Sequence, residues 1–225
     1  KLDESIWGGI KKSGRSGFFG NIEDKLEQET TKILPNFTKR SRAYLEIQNG
    51  CDHSCTFCII PQGRGFSKSV AMDTILEKIS NIVEKGFKEI VLTGVDITSW
   101  GSDLAGNDKL GDLVIKILDE IPKLPRLRLS SLDVSEMDDS LLHVFKTNKR
   151  MMPHLHLSLQ SGNNLILKRM KRRHSREQAI DLCRNLKAAR PELTFGADLI
   201  AGFPTESDTM FVDTMKLVDE CDISW

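Results

Sequence analysis

The sequence has no net charge, because 32 Lys and Arg are cancelled by 32 Asp and Glu. That balance excludes global electrostatic steering toward nucleic acid and leaves only local basic patches to meet phosphate. No apolar run approaches the roughly 18 residues that a membrane span needs, and no signal-peptide pattern opens the chain. A membrane partner is therefore not expected, and the cytoplasm is the expected compartment. Cysteine is too scarce for a disulfide scaffold, at five in 225 residues. No second Cys-x2-Cys pair completes a structural zinc site built from two pairs, and no short repeat is evident. What remains is ordinary core-forming sequence. Hydrophobic residues at 39% and charged residues at 28% describe a packed, soluble domain rather than a disordered tail.

Both ends read as cut. The chain starts at Lys1 and runs into a charged stretch with Gly8, Gly9, Gly14, Gly17 and Gly20, a composition suited to a linker. It stops in Asp222-Ile223-Ser224-Trp225, which reads as the start of a strand. The expectation is a piece of a longer protein. Residues 1–40 would be a linker and the tail of a preceding domain, and residues 41–225 a core domain.

From about residue 40, short apolar runs alternate with helical spacing. Strands are expected over 43–47, 89–93, 126–131, 154–159 and 193–200, with a sixth beginning near 222. Helices are expected over 72–85, 110–121, 139–147, 163–170, 175–189 and 207–220. Gly86 and Pro122 serve as stops, and Ser175 with Gln178 forms a capping box. This βα rhythm implies a parallel sheet, either open or a closed or partial barrel. In both architectures function gathers at strand C-termini. The notable residues fall there: the cysteines after the first strand, Thr93-Gly94-Val95-Asp96 after the second, Gln160-Ser161-Gly162 after the fourth, and Ala201-Gly202-Phe203-Pro204 after the fifth.

Cys51, Cys55 and Cys58 form Cys-x3-Cys-x2-Cys directly after the first strand. A tight loop can turn three thiolates toward one point, as in iron–sulfur sites. Zinc would need a fourth ligand, for which His53 in the same loop is the candidate. Three cysteines leave one iron of a four-iron cluster open to substrate or cofactor. Cys183 and Cys221 read as small buried hydrophobes.

On these residues the sequence resembles the radical S-adenosylmethionine (SAM) enzymes. The run from Cys51-Asp52-His53 through Ile60-Pro61-Gln62-Gly63-Arg64-Gly65 looks like their methylthiotransferase branch, and most like the subgroup acting on threonylcarbamoyladenosine in tRNA. Leu92-Thr93-Gly94-Val95-Asp96-Ile97, Leu127-Arg128-Leu129-Ser130-Ser131, Leu159-Gln160-Ser161-Gly162 and Ala197-Asp198-Leu199-Ile200-Ala201-Gly202-Phe203-Pro204 also match.

The resemblance implies a partial (βα)6 TIM-like barrel, truncated near its sixth strand. It implies a 4Fe–4S cluster on Cys51, Cys55 and Cys58 and SAM chelated at the open iron. A radical made from SAM would activate an adenine C–H bond. A second 4Fe–4S cluster, in an N-terminal domain outside this chain, would supply sulfur. The implied partners are a tRNA anticodon loop and a low-potential electron donor such as flavodoxin or ferredoxin. Phe57 would form an apolar wall near the cluster, or simply pack in the core. Thr93, Gly94 and Val95 would present backbone groups to SAM, and Asp96 would bond the cofactor or cap a helix. Ser130, Ser131, Gln160, Ser161 and Asp198 would bind ribose, carboxylate or substrate, and Gly202 would shape the adenine pocket. Arg64 would meet phosphate or the SAM carboxylate. Lys168, Arg169, Lys171, Arg172 and Arg173 would touch RNA phosphate, unless they form a solvated helix face; the Lys39-Arg40-Ser41-Arg42 run is similar. His154 and His156 alternate on one strand, and one of them is expected to face inward as a core histidine.

Overall fold

A computed structural model describes residues 41–225. The expected linker over residues 1–40 lies outside the described residues. Chain order is β1 (Arg42–Asn49), α1 (Ile60–Arg64), β2 (Lys68–Ser69), α2 (Met72–Glu84), β3 (Glu89–Gly94), α3 (Leu110–Glu120), β4 (Arg126–Leu129), β5 (Ser131–Leu132), α4 (Asp139–Thr147), β6 (His154–Gln160), α5 (Asn164–Arg169), α6 (Arg176–Ala189), β7 (Thr194–Leu199) and α7 (Asp208–Glu220).

The helices form where apolar residues recur at helical spacing and a polar side chain caps the start. In α2 the buried residues are Ile75, Leu76, Ile79 and Ile82. Its chain reversal comes at Gly86, with φ of 91°. Asp138, Ser175 and Ser207 accept from backbone N–H groups at the starts of α4, α6 and α7. The Ser175–Gln178 capping box forms as expected.

β1, β3 and β4 pair in parallel, as do β5, β6 and β7. The third expected strand is broken at Ser130. Its N–H still donates to Leu92 O of β3 at 3.0 Å, while Ser131 and Leu132 pair with β6. One passage of chain is thus handed from one neighbour to the next. Leu127 also bridges Met151 in parallel, just ahead of β6. Beyond β7, Ile223 bridges Phe195, and Ser224 N–H donates to Phe195 O at 2.8 Å. The result is a curled α/β sheet with six parallel strand positions, the partial barrel expected. Two elements depart from expectation. β2 runs antiparallel to β1, and α1 follows the cysteines. Both are too short to show a period in sequence.

The sheet has two unlike faces. Leu45, Ile47, Ile90, Leu92, Leu127, Leu129, Leu155, Leu157, Leu159 and Phe195 join the helices in one core. The alternate residues form a polar face. On it Glu89 is buried and accepts from Arg42 Nε (2.8 Å), Arg128 Nε (2.9 Å) and Arg126 Nε (3.1 Å). Burial alone would raise the Glu89 carboxyl, but Arg128, Arg42 and Arg126 outweigh it and hold the group below the usual range.

His154 and His156 lie on this same face, flanked by buried Leu155 and Leu157. The expectation that only one faces inward is corrected, because residues two apart share a strand face. Nor is either a satisfied core histidine. His154 Nδ1 is buried without a partner, and the half-exposed His156 meets exposed Asp198 at 3.3 Å. Cys183 and Cys221 are buried, and their mutual hydrogen bond raises the Cys183 thiol. Among the described residues no helix is long and apolar enough to cross a membrane.

Candidate functional site

The chain leaves β1 through a backbone that only glycine fits. Gly50 has φ of 73°, and a Cβ there would stand 2.0 Å from Phe66 O. Cys51 N–H donates to Gly65 O at 3.1 Å, which closes the cysteine loop at its base. Asp52 accepts from Ser67 N–H at 2.9 Å. Within the loop Cys58 N–H donates to Cys55 O at 3.1 Å, and His53 N–H donates to Cys51 Sγ at 3.4 Å. All three cysteines are free thiols of intermediate burial.

The loop is held from the far side by the turn that follows α5. Thr56 N–H donates to Met170 O at 3.2 Å, and its hydroxyl donates to Arg169 O at 3.0 Å. The basic run is therefore a strap across the cysteines. Lys171 takes φ of 58° to make the turn. Arg172 is not placed to meet phosphate, because its side chain is 7% exposed. It donates to Asp133 Oδ2 (2.8 Å), to Ser158 O (2.7 Å) and, through Nη1, to Cys55 Sγ at 3.7 Å. Arg173 pairs with Asp133 at 3.1 Å and with Glu136. Arg169 is exposed and donates to Thr205 O. Arg64, also exposed, reaches Asn49 at 3.3 Å.

These contacts close into a ring. Cys51 Sγ lies 3.6 Å from Asp96 Oδ2. Ser99 Oγ bonds both Asp96 (2.8 Å) and Glu136 (3.0 Å), and His53 Nε2 meets the same two carboxyls at 2.9 and 3.3 Å. From Glu136 the ring runs through Arg173, Asp133 and Arg172 to Cys55. Burial works to raise the Asp133 carboxyl, but Arg172 and the Ser135 bonds hold it low. Sequence reasoning left Asp133, Glu136 and Gln48 out. Gln48 is 1% exposed. Its Oε1 accepts from Val95 N–H (3.1 Å) and Asp96 N–H (2.8 Å), and its amide donates to Gly50 O (2.8 Å) and Ser67 Oγ (2.9 Å). A polar residue at an alternation point beside the cysteines was the one available signal.

The other expected site residues divide. Val95 and Asp96 are tied to the cysteine loop through Gln48, while Thr93 pairs with Glu46 of β1. Gly94 packs so closely that a Cβ would stand 2.5 Å from Gln48 O. Ser130 and Gln160 sit at strand ends, Gln160 with φ of 68°, and Ser131 is exposed. Phe57 is 38% exposed, at the rim rather than in the core. Gly202 N–H donates to Glu206 at 2.7 Å. Ser161 is wholly buried, with its hydroxyl on Thr214 Oγ1 and Asn163 N–H, so it locks α7 against the end of β6 instead of lining the site.

A zinc ion and an iron–sulfur cluster make different demands on the three sulfurs. A single zinc about 2.3 Å from each sulfur would draw three sulfurs to roughly 3.8 Å apart. The three thiols do not all come within 4.8 Å of one another; the group that does is Cys51, His53 and Asp96. A cluster gives each thiolate its own iron and needs no such convergence. Burial pushes the Cys51 thiol up to about 11, and Asp96 beside it adds to the shift. Asp96 is itself raised, first by burial and then by Glu136. The residues fit an iron–sulfur cluster.

A curled parallel βα sheet with three free cysteines in the loop after its first strand defines a radical SAM core. The chain belongs to the Radical SAM superfamily, which it matches over residues 45–218. Membership implies a 4Fe–4S cluster and SAM as cofactors. The chain is 48% identical over 200 residues to a threonylcarbamoyladenosine tRNA methylthiotransferase, MtaB, of Rickettsia prowazekii, covering 89% of this chain and 48% of the relative. It is 38% identical over 203 residues to a tRNA-2-methylthio-N(6)-dimethylallyladenosine synthase of Agrobacterium fabrum, covering 88% and 44%. The chain thus spans about half the length of the curated relatives it matches. Among solved structures, the radical SAM methyltransferase TsrM of Kitasatospora setae superposes with a TM-score of 0.68 at 14% identity, covering 83% of this chain and 34% of that one. That likeness concerns the fold.

Proposed function

We propose that the chain is the catalytic core of a tRNA methylthiotransferase that modifies carbon 2 of the adenine in N6-threonylcarbamoyladenosine, next to the anticodon. The observation that carries this reading is the 48% identity to one threonylcarbamoyladenosine tRNA methylthiotransferase, against 37–40% to three dimethylallyladenosine synthases; three further relatives with the threonylcarbamoyl name stand at 36–37%. Cys51, Cys55 and Cys58 would hold the 4Fe–4S cluster, which when bound would supply the one-electron reduction that SAM-dependent radical chemistry needs.

The protein's own residues place the partners and exclude water. Gln48 fixes the turn Thr93–Asp96 beside the cysteine loop, so backbone groups at Thr93 and Gly94 meet SAM. Ser130, Ser131, Gln160, Asp198 and Gly202 ring the strand ends for ribose and substrate, and Phe57 borders them. The exposed Arg64, Arg169 and Lys171 meet phosphates of the anticodon loop. A flavodoxin or ferredoxin delivers the electron, and a second 4Fe–4S cluster, in a part of the protein outside this chain, supplies the sulfur.

In the full-length protein, Cys55→Ala is expected to abolish the 2-methylthio nucleoside in tRNA hydrolysates read by mass spectrometry; unchanged modification would overturn the assignment. The Cys51, His53 and Asp96 donors leave one competitor, a zinc-stabilised RNA-binding module. Anaerobic reconstitution followed by EPR with and without SAM separates the two. A reduced 4Fe–4S signal that changes on adding SAM is expected, and zinc without iron or sulfide would favour the module.

A further inference from the structure

The basic run after α5 contains one arginine that behaves unlike the others. The Arg172 guanidinium is pinned on one edge by Asp133 Oδ2 at 2.8 Å and Ser158 O at 2.7 Å. One anchor lies within β6 and the other directly follows β5, so the group has little freedom to leave. The pinning aims Nη1 at Cys55 Sγ, 3.7 Å away. Arg172 Nε is buried and has no partner. A buried donor without a partner costs stability, roughly 1–3 kcal/mol, and calls for a reason at the site. The guanidinium meets both oxygen acceptors through Nη2 and the sulfur through Nη1, two nitrogens held in one rigid plane, whereas a lysine offers a single ammonium nitrogen.

We propose that Arg172 is a positioning residue for the cluster: it donates to the Cys55 sulfur and raises the cluster's reduction potential. The inference rests on the cluster reading of Cys51, Cys55 and Cys58. A fixed positive charge and an N–H donor at a ligand sulfur favour the reduced state, which carries one more negative charge. The low-potential donor then has less of a gap to cross. The acceptor of the electron remains the cluster, and Arg172 exchanges neither proton nor electron.

The test is an EPR-monitored redox titration of the reconstituted full-length protein, read on the 4Fe–4S signal that changes on adding SAM, with iron and sulfide counted. Arg172→Gln is expected to move the midpoint to a more negative value, by tenfold or more in the reduction equilibrium, which is about 59 mV for one electron. Arg172→Lys keeps the charge without the fork and is expected to fall between Gln and wild type. Lys171→Gln, on an exposed neighbour, is expected to leave the midpoint unchanged. If Arg172→Gln takes up no iron, the Lys variant decides. A wild-type midpoint in any Arg172 variant that carries a full cluster overturns the proposal. Equal shifts in the Arg172 and Lys171 variants do so as well, since they would show a general charge effect. A wild type that takes up no iron would instead overturn the cluster reading.

Discussion

Gln48 Oε1 accepts the Asp96 N–H at 2.8 Å, joining the end of β1 to the turn after β3 from inside the protein. The same side chain also serves Val95, Gly50 and Ser67, so it fastens both the cysteine loop and the neighbouring strand end. Neither loop has its site geometry without the other.

Gln48→Leu keeps the volume and removes every one of those bonds. It leaves the part-buried amides of Val95 and Asp96 unpaired, at about 1–2 kcal/mol each. Urea unfolding is expected to show a loss of about 3 kcal/mol, with weakened SAM binding by calorimetry. An unaltered midpoint would show that the glutamine is dispensable.

Gly94→Ala places a methyl 2.5 Å from Gln48 O and 2.7 Å from the Ile97 side chain. Backbone on one side leaves little room to yield, so the end of β3 must move off β1. The cost is about 1–3 kcal/mol, and SAM affinity is expected to fall with it. Binding and stability equal to wild type would show that the strands tolerate the separation.

Glu89→Gln removes a buried charge from among Arg42, Arg126 and Arg128 and leaves three cations facing one another. Loss of a partner from a buried pair costs roughly 3–5 kcal/mol. The arginines here are partly exposed, so about 2 kcal/mol is expected, read as a lower thermal midpoint. The Glu89 carboxyl is held low in the folded state, so its contribution is present above the unfolded carboxylate range. It fades as pH falls through the folded value. A variant as stable as wild type at pH 7 would contradict this.

His174 gives a second acid-sensitive contribution. Burial, then Arg172, lowers its ring from 6.5 to about 4. The unfolded chain takes up a proton first as pH falls, so stability from the neutral ring is full above about 6.5 and lost progressively down to about 4. The loss amounts to about 3 kcal/mol at the lower end. Denaturant titrations at stepped pH are expected to show this limb in wild type and a shallower one in His174→Leu. Parallel curves would assign the limb elsewhere.

The elements legible in sequence were those with a long period or a strong cap. α2, α3, α4, α6 and α7 lie within a residue or two of expectation, because each carries three or more buried apolar residues on one face or a capping side chain. The break at Ser130 was illegible, because Leu127, Leu129 and Leu132 carry no local sign of a change of pairing partner. The pairing of Arg172 and Arg173 with Asp133 was illegible for a related reason. A charge at a helix end looks solvated until something opposite is known to meet it, and Asp133 is some 40 residues away in sequence.

By itself the sequence determined the βα alternation, the cysteine loop after the first strand and the set of strand ends at which function gathers. All of these depend on local period, spacing and turn chemistry. Only the tertiary structure decided which polar side chains share that site. Gln48 with Asp96, Asp133 with Arg172 and Arg172 with Cys55 are pairings across 39 to 117 residues. They arise from the curl of the sheet, which brings the ends of separate strands together; no local pattern encodes that closure.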